Sequence, residues 1–221
     1  GQGEAASHYL LIDTAGMRKV GHVHQSVERF SLFRAEQSIE RADVVVLALD
    51  AEQGPTEQDK KIAAIIIENH KGCLLLVNKW DLAGKMPQKR YRDALLKTLF
   101  FMSYVPVVFA SAKSGFNIRK SVEAIDDIST QVSMTLPTGV LNRVLHDAFQ
   151  KVQPPMVKNH RLKLYYATQV GSKPLRLRLF VNDPHNVVQA YETFLLNTLR
   201  GAFGLEGAPV VLTYRSSHKE K

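Results

Sequence analysis

Four short apolar runs, each closed by a polar residue and separated by stretches of helical length, constrain this chain more than any other feature. They are Tyr9–Asp13 (YLLID), Val44–Asp50 (VVVLALD), Cys73–Asn78 (CLLLVN) and Val105–Ser111 (VPVVFAS). Their apolar residues are consecutive rather than alternating, which is how strands covered on both faces of a parallel sheet read. The pieces between and after them, roughly 28–41, 57–69, 88–101 and 117–130, have the length and periodicity of crossover helices. The expectation is an α/β domain over residues 1–130 with a doubly wound, mostly parallel sheet.

Beyond Thr130 the order changes. Leu136–Val152 predicts a helix with Leu141, Val144, Leu145, Ala148 and Phe149 on one face, stopping before Pro154 and Pro155. Two strands are predicted next, Arg161–Val170 and Leu175–Asn182, joined by the turn Gly171-Ser172-Lys173-Pro174. In the second, Leu175, Leu177 and Leu179 alternate with Arg176, Arg178 and Phe180, so one face is buried and the other presents two arginines. Of the adjacent pair Tyr165 and Tyr166, simple alternation sends one to the core. A helical region from about Pro184 to Phe203, with room for a break, and a last strand ending near Arg215 complete a small α+β domain over 131–221.

Charge follows the same division. The net charge of the 221 residues is +8; residues 1–130 hold 17 Lys and Arg against 16 Asp and Glu, whereas 131–221 hold 12 against 5. The rear part therefore carries +7 and most of the attraction for a polyanion such as RNA. No apolar run approaches the roughly 20 residues of a membrane helix, and no secretory leader pattern is present, so a soluble, cytoplasmic protein is expected. The single cysteine, Cys73, lies in an apolar run and reads as a small buried side chain. The histidines are scattered without cysteine partners, and no zinc site is expected.

Three of the apolar runs end in polar signatures, which a doubly wound sheet brings to one edge, where ligands bind. The first is Asp13-Thr14-Ala15-Gly16, the second Asn78-Lys79-Trp80-Asp81, the third Ser111-Ala112-Lys113. A strand-terminal carboxylate such as Asp13 can hold a hydrated Mg²⁺, and Gly16 lets a backbone N–H approach a terminal phosphate. Asn-Lys-x-Asp suits guanine: the carboxylate accepts from both ring N1–H and the exocyclic amine, while the lysine stem covers the base. Ser-Ala-Lys can offer a backbone N–H to the guanine carbonyl. In this order and at strand ends, the three together point to a guanine-nucleotide site.

The chain resembles GTPases of the translation-factor-related class. More closely, DTAGMRK, VERFSLFRAEQSIERADVVVLALDAEQGPTEQD and LLLVNKWDLAGK are similar to the second GTPase domain of the EngA/Der family, and YYATQV, FVN and GAFGLEGAPVVL to its C-terminal KH-like domain. The resemblance covers nearly the whole chain. It implies a P-loop-type GTPase fold followed by a KH-like domain, and a role for GTP hydrolysis in assembly of the large ribosomal subunit, with rRNA as partner. It also implies Asp13 near Mg²⁺, through water, and Gly16 at the γ-phosphate. Asn78, Lys79 and Asp81 would lie at guanine, with Ser111, Ala112 and Lys113 on the far side of the base. Residues from about Met17 to Gln37 would form switch II and its helix. Arg161, Lys163, Lys173, Arg176 and Arg178 around the predicted hairpin are the candidate rRNA contacts.

Two departures qualify the implication. No G-x-x-x-x-G-K-[ST] phosphate loop occurs in the sequence, nor does the family's preceding GTPase domain, so the chain reads as an excerpt of a longer protein. Met17 follows Gly16 where Ras-like GTPases carry a water-orienting glutamine, so no catalytic residue is named; the resemblance implies slow hydrolysis, aided by a monovalent cation such as K⁺. The GXXG at Gly201–Gly204 reads as a helix terminus rather than an RNA clamp. A nucleotide-silent RNA- or ribosome-binding fragment is the alternative reading.

Overall fold

A computed structural model describes residues 8–12 and 25–217. In the front half, helices and strands alternate: α1 (Gln25–Arg41), β1 (Val44–Asp50), α2 (Glu57–Glu68), β2 (Gly72–Asn78), α3 (Gln88–Thr98), β3 (Val107–Phe109) and α4 (Ile118–Val132). The strands lie in the order β1-β2-β3, all parallel, with Val44 opposite Gly72 and Leu75 opposite Val107. Central β2 has no polar side because both of its faces are covered; Cys73, Leu74, Leu75 and Val77 are completely buried. The start of α2 is fixed by a reciprocal cap. The Thr56 hydroxyl accepts from the Asp59 N–H, and the Asp59 carboxylate accepts from the Thr56 N–H at 2.8 Å.

The run Tyr9–Asp13, expected as the first strand, forms no strand over residues 9–12. Leu10 and Leu11 are exposed, and the Tyr9 hydroxyl donates to Asp126 on α4. An apolar run becomes a strand only beside an edge that completes its backbone hydrogen bonds, and no described strand pairs with this one. Asp13 itself lies outside the described residues.

The rear half contains α5 (Thr138–Lys151), a two-residue-per-strand hairpin of β4 (Met156–Val157) and β5 (His160–Arg161), then β6 (Leu164–Gly171), β7 (Leu175–Val181), α6 (Gln189–Phe203) and β8 (Val210–Ser216). Its sheet runs β6-β7-β8, antiparallel then parallel. Leu175, Leu177, Leu179 and Val181 face inward and pack with Leu141, Leu145, Leu195 and Leu199 of the two helices. The expected helical region after Pro184 is broken: a 3₁₀ turn, Pro184–Asn186, is followed by extended Val187 and Val188 before α6 begins. Gly204 ends α6 in the left-handed region at φ 64°, the conformation glycine adopts most readily at a helix terminus.

Tyr165 and Tyr166 depart from alternation, since both are exposed. The register between β6 and β7 shifts between Leu164 and Tyr166, so an extra residue is inserted and the faces no longer alternate there.

The two halves share an apolar core. Leu74, Val108, Ile128 and Val132 of the front half belong to the same buried cluster as Leu136, Leu141, Leu175 and Leu205 of the rear. At the junction Gly207, at φ 81°, donates its N–H to the Tyr104 carbonyl at 3.1 Å and accepts from the Cys73 N–H at 2.9 Å. The Arg200 guanidinium lies 3.8 Å from the centroid of the Tyr104 ring. Lys173 pairs with Asp43 at 3.1 Å.

Candidate functional site

β1 and β2 end side by side, with Asp50 opposite Asn78. After Asn78 the chain must turn away from the sheet, and it does so through Lys79 in the left-handed conformation, φ 58° and ψ 35°, into the 3₁₀ turn Trp80–Leu82. The Trp80 N–H donates to the Ala110 carbonyl at 3.0 Å, fastening this turn to the segment leaving β3. Beneath it the Trp80 ring packs against Phe109 and Tyr91, with centroids 4.4 and 5.4 Å apart. This apolar floor leaves Asp81 at the exposed surface, with Asn78 and Lys79 half-buried behind it.

The third signature arrives at the same edge. Ser111 is fully buried; its N–H donates to the Phe116 carbonyl at 3.0 Å and its hydroxyl accepts from the Ser114 N–H at 3.2 Å. Ala112 and Lys113 are exposed. The Asn78 side-chain oxygen accepts from the Ala112 N–H at 3.0 Å, so the two signatures are joined directly. That N–H is therefore already engaged, and an incoming carbonyl must share it or draw it from Asn78.

Asp50 belongs to this edge although the strand-end reading passed over it. Its carboxylate is 2.6 Å from Lys79 Nζ and also accepts from the Glu52 N–H at 2.9 Å, with only 7% of the side chain exposed. The hydrogen bond from Lys79 is the strongest influence holding the Asp50 carboxyl below its ordinary range, against the opposing effect of burial. The signal was present: Asp50 closes its apolar run as Asn78 and Ser111 close theirs.

Asp13 and Gly16 lie outside the described residues. Among the described residues no three His, Cys, Asp or Glu side chains gather as a metal site. The rear candidates do not form one group. Arg176 and half-buried Arg178 stand on the solvent side of β7. Arg161, in the β4–β5 hairpin, donates to Gln153, and Lys163 donates its backbone N–H to Asn182 at 2.8 Å. Lys173 points instead to Asp43 of the front half.

The edge so assembled offers an exposed carboxylate, a half-buried amide, a lysine stem held by a buried carboxylate, and the Ala112 N–H shared with that amide. That set is suited to a planar ring bearing adjacent donors, with an acceptor on its other side.

The family described as "Elongation factor Tu GTP binding domain" matches residues 4–131, and "KH-domain-like of EngA bacterial GTPase enzymes, C-terminal" matches 135–215. The chain is 45% identical over 208 residues to a GTPase Der of Caldanaerobacter subterraneus subsp. tengcongensis, covering 93% of this chain and 47% of that protein. It is 42% identical over 210 residues to a GTPase Der of Thermoanaerobacter pseudethanolicus, covering 94% and 48%. The chain thus spans about half the length of the curated relatives it matches. Among solved structures, Aquifex aeolicus Era bound to GDP·AlF4⁻ is similar at 18% identity and TM-score 0.42, over 89% of this chain and 73% of that one.

Proposed function

Because this chain belongs to the EngA/Der family of GTP-binding proteins, joining a GTP-binding domain of the elongation factor Tu kind to an EngA-type KH-like domain, we propose that it binds guanine nucleotides and hydrolyses GTP as a conformational switch in cytoplasmic assembly of the large ribosomal subunit. The observation that carries this reading is the Ala112 N–H to Asn78 bond, which unites Asn78-Lys79-Trp80-Asp81 with Ser111-Ala112-Lys113 at one sheet edge. Asp81 accepts from guanine N1–H and its amine; Lys79 covers the base; Ser111, Ala112 and Lys113 close its other side. Asp13 would hold Mg²⁺ through water and Gly16 would meet the γ-phosphate, with K⁺ as a further cation that would supply positive charge for hydrolysis. The +7 of residues 131–221 favours rRNA phosphates as the second partner, with Arg161, Lys163, Lys173, Arg176 and Arg178 as contacts. Residues 1–130 act as the nucleotide domain and 131–221 as the RNA domain, with a further GTPase domain preceding them in the complete protein.

The alternative reading is a nucleotide-silent RNA- or ribosome-binding module. One experiment separates the two. A polypeptide spanning the full length of the relatives is titrated with fluorescent GDP and XDP, with its other GTP-binding site inactivated. GDP is expected to bind more tightly, and Asp81→Asn to cost guanine about 10- to 100-fold, the loss of hydrogen bonds to a charged group, while improving xanthine. If the polypeptide ignores guanine nucleotides, the silent module is the correct reading.

A further inference from the structure

The rear sheet has one covered face and one open face, and the open face has a definite chemistry. Strand register places Tyr166 beside Phe180, Thr168 beside Arg178, and Arg178 one row from Arg176. On the other side of β7, Arg215 stands beside Phe180. Arg176, Arg215 and Tyr166 are exposed, and Arg178 and Phe180 half-exposed. β6, β7 and β8 contain no aspartate or glutamate, and none of the three arginines forms an ion pair with a described residue. Within this field Tyr166 and Phe180 lie ring on ring, centroids 4.2 Å apart and planes 13° from parallel. The bulge that put Tyr166 outside the core places this pair at the sheet's edge. Arg178 Nε is buried with no hydrogen-bond acceptor among the described residues.

We propose that this open face is a platform for single-stranded RNA, on which a base stacks against the Tyr166–Phe180 pair while Arg176, Arg178 and Arg215 hold the adjoining phosphates. The inference rests on the reading of rRNA as partner and gives that reading a surface. Arginines without carboxylate partners leave an uncompensated positive field that attracts an anion. A flat aromatic pair beside them takes a base only if it has left its own stack, which selects a single strand over a duplex. Successive outward residues on β7 are about 7 Å apart, a spacing suited to consecutive phosphates of an extended strand. The surface is distinct from Gly201–Gly204, whose second glycine is occupied in ending α6.

The test uses the 221-residue chain and a fluorescein-labelled single-stranded RNA of roughly 12 nucleotides, a length in the range that single-strand-binding modules cover. Anisotropy is read across a KCl series, with the same sequence as duplex for comparison. The single strand is expected to bind more tightly than the duplex. Tyr166→Ala should weaken it about tenfold with an unchanged salt slope, and Tyr166→Phe should restore it. Arg176→Ala and Arg178→Ala should each flatten the slope by about 0.7. Circular dichroism of every variant checks that the fold is kept. If Arg161→Ala or Lys163→Ala abolishes binding while the face variants match the parent, the platform is wrong and the rRNA reading stands. If the parent binds duplex and single strand alike, the stacking role is wrong. If the parent binds no RNA, both fail, whereas GDP binding by the longer polypeptide tests the nucleotide reading separately.

Discussion

Lys79 and Asp50, 29 residues apart in sequence, meet at 2.6 Å across the tips of two neighbouring parallel strands. Lys79 takes a left-handed backbone to make the turn, and its side chain returns over β1. The contact holds in place the stem that would cover a base.

Asp50→Asn should therefore loosen Lys79 and weaken guanine-nucleotide binding by the longer polypeptide about 3- to 10-fold, the range of one modest polar contact. Asp50→Glu, which keeps the charge, should recover part of it. The Asp50 carboxyl titrates lower in the folded chain than its ordinary 3.8. Its contribution to stability is thus complete above that value and is lost as pH falls below it. Urea midpoints of parent and Asp50→Asn should converge on acidification below about 4, and parallel curves would contradict this.

Gly207→Ala should destabilise the chain by about 3 kcal/mol, combining left-handed strain with overpacking. An added Cβ would lie 2.8 Å from the Cys73 carbonyl oxygen and 2.9 Å from Ile128 and Pro106. Chemical denaturation with Gly204→Ala as comparison measures it. Both glycines have positive φ, but a Cβ at Gly204 meets nothing within 4 Å, so that variant bears only the conformational part.

Cys73 should resist thiol reagents until the chain unfolds. It is fully buried, and burial pushes its thiol from an ordinary 9.0 up to about 12. The neutral thiol is favoured in the fold, so its stabilising effect is full below pH 9.0 and fades as pH rises toward about 12. Ellman's reagent should react in urea but not in native buffer, and a fast native reaction would contradict this.

Asn142→Ala should cost about 2 to 4 kcal/mol, because two backbone groups lose their partner at once. The Asn142 oxygen accepts from the Ala167 N–H at 2.7 Å, and its amide donates to the Ala167 carbonyl at 2.8 Å. The side chain thus stands in for a neighbouring strand at the edge of β6. Calorimetry should show the melting point lower by roughly 4 to 16 °C, with Asn142→Asp falling between.

Much of this fold could be read from the sequence because apolar periodicity is local. β1 and β2 begin and end within a residue of the apolar runs, and the buried leucines of β7 are the ones alternation selects. What escaped was set by distant partners. Leu10 and Leu11 have strand-like composition and no described neighbour to pair with. Tyr165 and Tyr166 have alternating neighbours, yet a register shift against β7 decides their faces. At the candidate site, the runs ending in Asn78 and Ser111 announced themselves as motifs. Asp50 closes its run in the same way but belongs to no motif, and its meaning lies in a lysine 29 residues away.

β2 connects two fixed points. At its base the Cys73 N–H is bonded to Gly207, and at its tip Asn78 is bonded to Ala112. The number of residues between them is consequently a dimension of the molecule. Inserting one would advance the tip by about 3.3 Å and reverse every side chain beyond it, so either Gly207 or Ala112 would lose its partner. Loops on this chain can lengthen in descent without such a penalty; the six residues from Cys73 to Asn78 can change identity but not number.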